Sequence, residues 1–239
     1  LCREAMVWRH LSHPNLVPFY GVYNDNRLGL VDEWLPNGDI HRFLKNNPNA
    51  NRPQLLLDVA YGLQYLHSDH VNIVHGGLKG KNVLVDENGR ARLSDFAFGH
   101  ITYQWYAFAP CVNLDGIRWV APEDMDLSDD DTPTRASDVY AFSLVSLEVF
   151  TGAVPFADIT DRAGQLVRHV AAGMRPQRPL EAHALGLTDN VWLTMEKCWQ
   201  GDPGLRPSIS RATEELEGEW LSRSSSGDNG SIQAAQSSE

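Results

Sequence analysis

The sequence has no apolar run long enough to cross a bilayer. Its longest, residues 141–150, is interrupted by Ser143, Ser146 and Glu148, whereas a spanning helix needs about 20 consecutive apolar residues. No basic-then-apolar segment opens the chain, so no signal peptide is read. Cysteine is scarce: Cys2, Cys111 and Cys198 are far apart and odd in number. That excludes a disulfide framework and points to reduced thiols in a cytoplasmic protein. Basic runs are missing as well. The 20 Lys and Arg are scattered and outnumbered by 31 acidic residues, for a net charge of −11. A general nucleic-acid surface or an anionic-membrane surface is excluded by that balance. No internal repeat is visible.

With 239 residues, 42% of them hydrophobic, the chain can bury a substantial core. Glu4, Trp8 and Leu11 share one helical face near the start, and His13-Pro14-Asn15 ends that helix. Residues 16–23 and 27–32 read as two strands around a turn at Asn24-Asp25-Asn26. Asp39 is placed to cap a short helix to about Lys45. Pro53 suits the first turn of a helix reaching about His67, with Leu56, Val59, Leu63 and Leu66 on one stripe. Short strands at 82–85 and 90–93 flank the turn Asp86-Glu87-Asn88-Gly89. Residues 137–150 are apolar nearly all round, the pattern of a central buried helix, with Gly152 placed for a left-handed cap. Further helices are expected near 160–172, 189–200 and 207–221. From Ser222 the composition is too polar to offset its ordering entropy, so residues 222–239 are expected to form a disordered tail.

The chemistry concentrates in His75-Gly76-Gly77-Leu78-Lys79-Gly80-Lys81-Asn82 and in Ser94-Asp95-Phe96-Ala97. Asn82 lies seven residues after His75, and Asp95 thirteen after Asn82. One short hairpin fits between them. These segments resemble the catalytic loop and the magnesium-binding turn of a protein kinase. Other landmarks follow in the same order. Glu4 stands where the helix glutamate does, and Val31-Asp32-Glu33-Trp34-Leu35-Pro36-Asn37-Gly38 looks like the adenine-holding hinge. Trp119-Val120-Ala121-Pro122-Glu123 resembles the end of the activation segment. Ser137-Asp138-Val139 resembles the start of the central helix. Cys198-Trp199-Gln200-Gly201-Asp202-Pro203-Gly204-Leu205-Arg206-Pro207 is similar to the ending of tyrosine-kinase-like and tyrosine kinases.

The resemblance implies an α+β, protein-kinase-like fold: a remnant of the small β lobe at 1–35, a mainly helical large lobe at 36–221, and the tail. It implies ATP and magnesium as cofactors and a protein substrate or partner. Asn82 and Asp95 become the metal ligands, and Lys79 the residue that steadies the moving phosphate. Glu33, Leu35 and Leu84 line the adenine site. Asp138 holds the catalytic loop, Glu123 pairs with Arg206, and Trp8, Phe19, His75 and Phe96 form the stack that aligns the lobes.

The departures are as specific. Gly77 occupies the place of the catalytic Asp, and a glycine accepts no proton; such a base is typically worth ~10²–10⁴ in rate. Gly76 replaces the arginine that reads activation-loop phosphate, and Ala97 the glycine of the metal turn. Asp32 takes the gatekeeper position, where a carboxylate is costly in an apolar pocket. The Gly-rich loop and strand lysine have no counterpart, so the chain reads as a piece of a longer domain. Three functions stay open: a catalytically impaired homologue acting by protein binding, an active Ser/Thr or Tyr kinase completed by an upstream small lobe, and a decayed fragment. Blander readings stand beside them: Lys79 as a surface lysine, Asp95 as a turn cap, and the acidic run 124–131 as a solvated loop.

Overall fold

The computed structural model describes residues 2–25, 27–96, 114–125, 132–159 and 163–225. Helix α1 (Cys2–Trp8) precedes an antiparallel hairpin of β1 (Phe19–Asp25) and β2 (Arg27–Asp32), paired from Phe19 with Asp32 to Asp25 with Arg27. The expected first strand starts three residues late. Pro18 has no N–H to give a ladder, and Leu16 instead bridges to Leu93 in the large lobe.

The large lobe opens with α2 (Ile40–Asn46), whose first turn is capped by the Asp39 carboxylate accepting the Arg42 N–H at 3.0 Å. Helix α3 (Arg52–His67) has Asn51 as its cap and Pro53 in its first turn. Its buried stripe is Leu55, Leu56, Val59, Leu63 and Leu66. A second hairpin joins β3 (Val83–Val85) to β4 (Ala91–Leu93). Fully buried Asp58 of α3 pins it, accepting the Ala91 N–H at 2.9 Å and the Arg90 guanidinium at 2.8 and 2.5 Å.

The central helix (Arg135–Thr151) starts at a capping box between Thr134 and Ser137 and ends on Gly152 at φ 71°. Every residue from Ser137 to Phe150 is buried. Its internal serines are satisfied backwards: Ser143 donates to the Tyr140 carbonyl and Ser146 to the Phe142 carbonyl. Around it pack α2, α3 and the helix Asp189–Cys198, and the last helix (Ile209–Ser225) closes against α3. That last helix runs past the expected end near 221; the tail beyond it lies outside the described residues. Several short pieces were not foreseen: the single turn Leu114–Ile117 and the 3₁₀ stretches Gly80–Asn82, Pro122–Met125, Leu180–Leu185 and Pro203–Leu205. Among the described residues no helix is long and apolar enough to cross a membrane.

One core runs from Trp8 to Leu216. The β1–β2 hairpin sits at its edge, leaving Tyr20, Val22, Tyr23 and Val31 exposed, and it pairs with no third strand among the described residues. Stability is therefore uneven. Amide hydrogen exchange is expected to be slowest across residues 139–150 and fastest in β1 and β2. Equal protection of the two regions would contradict this packing.

Candidate catalytic cleft

Asp138 organises the cleft from the first turn of the central helix. Its carboxylate is 2% exposed and accepts the His75 N–H at 2.7 Å and the Gly76 N–H at 2.8 Å. The His67 Nε2 lies 2.8 Å from the same carboxylate. The loop thereby turns sharply, and Gly76 takes φ 68°, a left-handed conformation that glycine adopts without cost.

The β3–β4 register then places the metal-ligand candidates. Val83 faces Leu93, so Asn82 and Asp95 emerge together at the open end of the hairpin. Ser94 donates both its N–H (2.9 Å) and its hydroxyl (3.2 Å) to the Asn82 carbonyl. The Asn82 side-chain NH₂ donates to the Gly77 carbonyl at 2.8 Å. That leaves its amide oxygen available. Asp95 is exposed and held at φ 55°, a left-handed position that costs about 1 kcal/mol or more for a residue with a side chain. Asn82 and Asp95 thus offer two oxygens to a hard cation. Among the described residues no cluster of three His, Cys, Asp or Glu could hold a metal alone, so water or phosphate oxygens would complete magnesium's shell.

Gly76, Gly77, Lys79, Asn82 and Asp95 line one side of a cavity of about 330 Å³, and Trp119 and Asp124 the other. Lys79 is half-buried and has no ion-pair or hydrogen-bond partner among the described residues. A Cβ built on Gly77 meets nothing within 4 Å. The place of the missing base is open space.

The expected stack is assembled. Trp8 lies flat on Phe19 with centroids 5.2 Å apart, meets Phe96 edge-on at 5.0 Å, and Phe96 meets His75 edge-on at 6.3 Å. His75 is fully buried and neither ring nitrogen has a partner. Burial pushes its pKa below the usual histidine range, so the ring packs as a neutral aromatic.

At the hinge, Leu35 is buried, and Leu84 lies on β3 below it. Glu33 reaches Arg92 at 3.4 Å. Neither the Glu33 carbonyl nor the Leu35 N–H makes a backbone hydrogen bond among the described residues. This is an unfilled acceptor and donor pair of the kind an adenine edge requires. Asp32 is half-exposed; partial desolvation, and then the charge of Asp95, raise its pKa.

Arg206 clamps the far wall. Its guanidinium is fully buried and grips Glu123 through two bonds of 2.6 Å, with the Gln200 and Ala136 carbonyls at 2.9 Å. Arg206 and Arg175 flank the Tyr140 ring, at 5.2 and 5.4 Å from its centroid. The Glu4 side chain, Ala97, Thr102, Tyr103, Tyr106 and most of the acidic run lie outside the described residues.

Three participants escaped the sequence reading. His67 helps to hold Asp138, and nothing marked it. Buried Arg118 donates to the Pro155, Phe156 and Ile159 carbonyls. Fully buried Glu148 gathers His41, Trp119 and the Gly80 N–H; its signal was a carboxylate deep inside the mostly apolar run 141–150.

Comparison with known proteins agrees with this geometry. The family model for protein tyrosine and serine/threonine kinases matches residues 1–216. Serine/threonine-protein kinase STY17 of Arabidopsis thaliana is 32% identical, over 90% of this chain and 36% of its own length. Serine/threonine-protein kinase 12 of the same plant is 30% identical, over 90% of this chain and 46% of its own. The tyrosine-protein kinase transforming protein Fps of avian sarcoma virus is 28% identical, over 90% and 39%. The chain therefore spans less than half the length of these relatives.

The two cations of the cleft should differ sharply in what they hold up. Arg206→Ala is expected to cost about 3–5 kcal/mol, because it strips four acceptors of a buried donor. Lys79→Ala should change stability by about 0.5 kcal/mol or less. Urea unfolding of both variants decides it. Equal midpoints would show that the Glu123–Arg206 pair carries no such weight.

Proposed function

The chain belongs to the protein tyrosine and serine/threonine kinase family, and from that premise we propose that it is a catalytically impaired member acting by protein binding. The observation that carries this reading is Gly77. Every support of the catalytic loop is in place around it, yet no side chain there can take a proton from a substrate hydroxyl. Asn82 and Asp95 would hold magnesium and orient phosphate oxygens, and Lys79 would lie beside them. Bound magnesium-ATP would supply the transferable phosphoryl group. A protein partner and a cytoplasmic setting belong to the same proposal, consistent with the acidic balance and the three widely spaced cysteines.

A second reading rests on different features. Asp95 is held in a strained left-handed conformation and the Trp8–Phe19–Phe96–His75 stack is assembled. Strain of that kind persists where function uses it. This favours a working Ser/Thr or Tyr kinase when a complete small lobe is present.

Incubation with labelled ATP, magnesium and a mixed peptide library tests the first reading. No transfer is expected, and turnover abolished by Asp95→Ala would overturn the binding-only reading. Gly77→Asp should fold with stability unchanged within about 0.5 kcal/mol, since its side chain enters open space. It should nonetheless remain inactive, because no strand lysine grips the phosphates.

Nucleotide affinity is a separate test. Calorimetric titration with magnesium-ATP is expected to show binding weaker than low micromolar. The hinge offers its backbone pair, but Asp95, with Asp32 close enough to feel its charge, would put carboxylates near the phosphates, and among the described residues Lys79 is the one ammonium lining the cavity. A low-micromolar constant would favour a nucleotide-regulated binding protein.

A further inference from the structure

Glu148 is 0% exposed and lies behind the catalytic loop. One of its oxygens accepts the Gly80 N–H at 2.9 Å and the Trp119 indole N–H at 2.7 Å. The other lies 2.8 Å from His41 Nε2, while His41 Nδ1 lies 3.2 Å from the Gly152 carbonyl. Gly80 is glycine for a reason of space: a Cβ there would come within 2.6 Å of His41 Nε2 and 2.8 Å of a Glu148 oxygen. Four separate parts of the lobe therefore meet on one carboxylate: α2, the catalytic loop, the Trp119 wall of the cavity, and the central helix.

The proton count of this cluster is constrained. A neutral imidazole carries one N–H, yet both ring nitrogens of His41 face acceptors when Glu148 is ionised. Filling both contacts takes one more proton than a neutral histidine and a carboxylate provide together. The N–H bonds from Gly80 and Trp119 favour the ionised carboxylate, so the extra proton belongs on the ring.

We propose that His41 is a positioning residue whose protonation locks the catalytic loop and the cavity wall through Glu148, and whose deprotonation as pH rises releases them. The name of that loop rests on the kinase reading, but the latch does not, because its test reads protonation and not phosphoryl transfer. The groups acting on the pair are few. Asp39, at the start of α2, adds negative charge beside His41. The loop and the Trp119 segment present N–H dipoles to Glu148. His41 is 22% exposed on its side chain, which gives the proton a route to solvent.

Both groups are displaced in one direction. The bond to Glu148 raises the His41 pKa, and burial raises that of Glu148. The folded chain thus keeps a proton that the unfolded chain gives up near pH 6.5. This contribution to stability is complete below that point and is lost as pH rises through the folded value. Over that window the folding constant should fall about tenfold per pH unit.

Nitrogen-15 NMR of the full chain between pH 5.5 and 10 tests the latch. At pH 7.5 both His41 nitrogens are expected to carry protons. The His41 ring, Trp119 indole and Gly80 amide signals should then move together with one midpoint above 6.5. His41→Gln retains an N–H donor without a titrating group and should flatten the Trp119 and Gly80 responses. A neutral His41 ring at pH 7.5, or Trp119 and Gly80 signals that ignore its titration, would overturn the proposal. So would an unchanged transition in His41→Gln. Should that variant fail to fold, the wild-type titration alone is decisive.

Discussion

The structure depends on a buried carboxylate that must be surrounded by donors. Asp138 sits where water cannot reach it, so its charge is tolerable only if N–H groups converge on it. The His75 and Gly76 amides do so, together with the His67 ring. The requirement runs in both directions. The carboxylate needs the loop, and the loop, which belongs to neither helix nor sheet, has its backbone donors satisfied by the carboxylate. A helix buried on every side is the stiffest available anchor for such a pivot. Two further buried acids repeat the device: Asp58 ties the β3–β4 hairpin to α3, and Glu148 ties the catalytic loop to α2 and to the cavity wall.

Backbone anchoring explains how the site keeps its geometry after losing two side chains. Asp138 contacts the amides of positions 75 and 76, not what those residues carry. Asn82 likewise donates to the carbonyl of Gly77. Glycine at 76 and 77 therefore leaves the scaffold bonds in place. It even relieves one strain, because position 76 is left-handed. What glycine removes is the reactive surface: a guanidinium at one position and a carboxylate at the next. Shape and chemistry are written on different atoms here, so one can be lost without the other.

The large lobe was legible in the sequence because its signals are local or ordered. The caps at Asp39 and Gly152 and the Pro53 first turn mark helix ends whatever surrounds them. The spacing from His75 through Asn82 to Asp95 set the hairpin and hence the meeting of the two oxygen donors. The Glu123–Arg206 clamp and the aromatic stack followed from landmark order. What stayed hidden depends on distance in space. Nothing near His67 announces Asp138, and nothing near His41 announces Glu148, because each pair is brought together only by helix packing. Strand β1 was misjudged at its start for a related reason. Residues 16 and 17 are extended, but they face Leu93 and not β2, a choice made by the large-lobe core.

The same division bears on what the cleft can do. Charge neutralisation and positioning carry phosphoryl transfer, and both need cations or metal near the phosphates. Among the described residues Asp95 and Asp124 line the cavity with one ammonium, that of Lys79, and Asp32 lies near enough to Asp95 to feel its charge. Partial desolvation, and after it the charge of Asp95, raises the Asp32 pKa. Any ligand that settles there must bring positive charge, as magnesium does with a nucleotide or as a basic protein segment would. The hinge backbone leaves one acceptor and one donor unfilled among the described residues, but the electrostatics of the inner cleft favour a cation first. A binding role is thus the less demanding use of this site: it needs the rigid loop and the cavity, both of which the buried acids maintain, and it does not need the proton acceptor that Gly77 lacks.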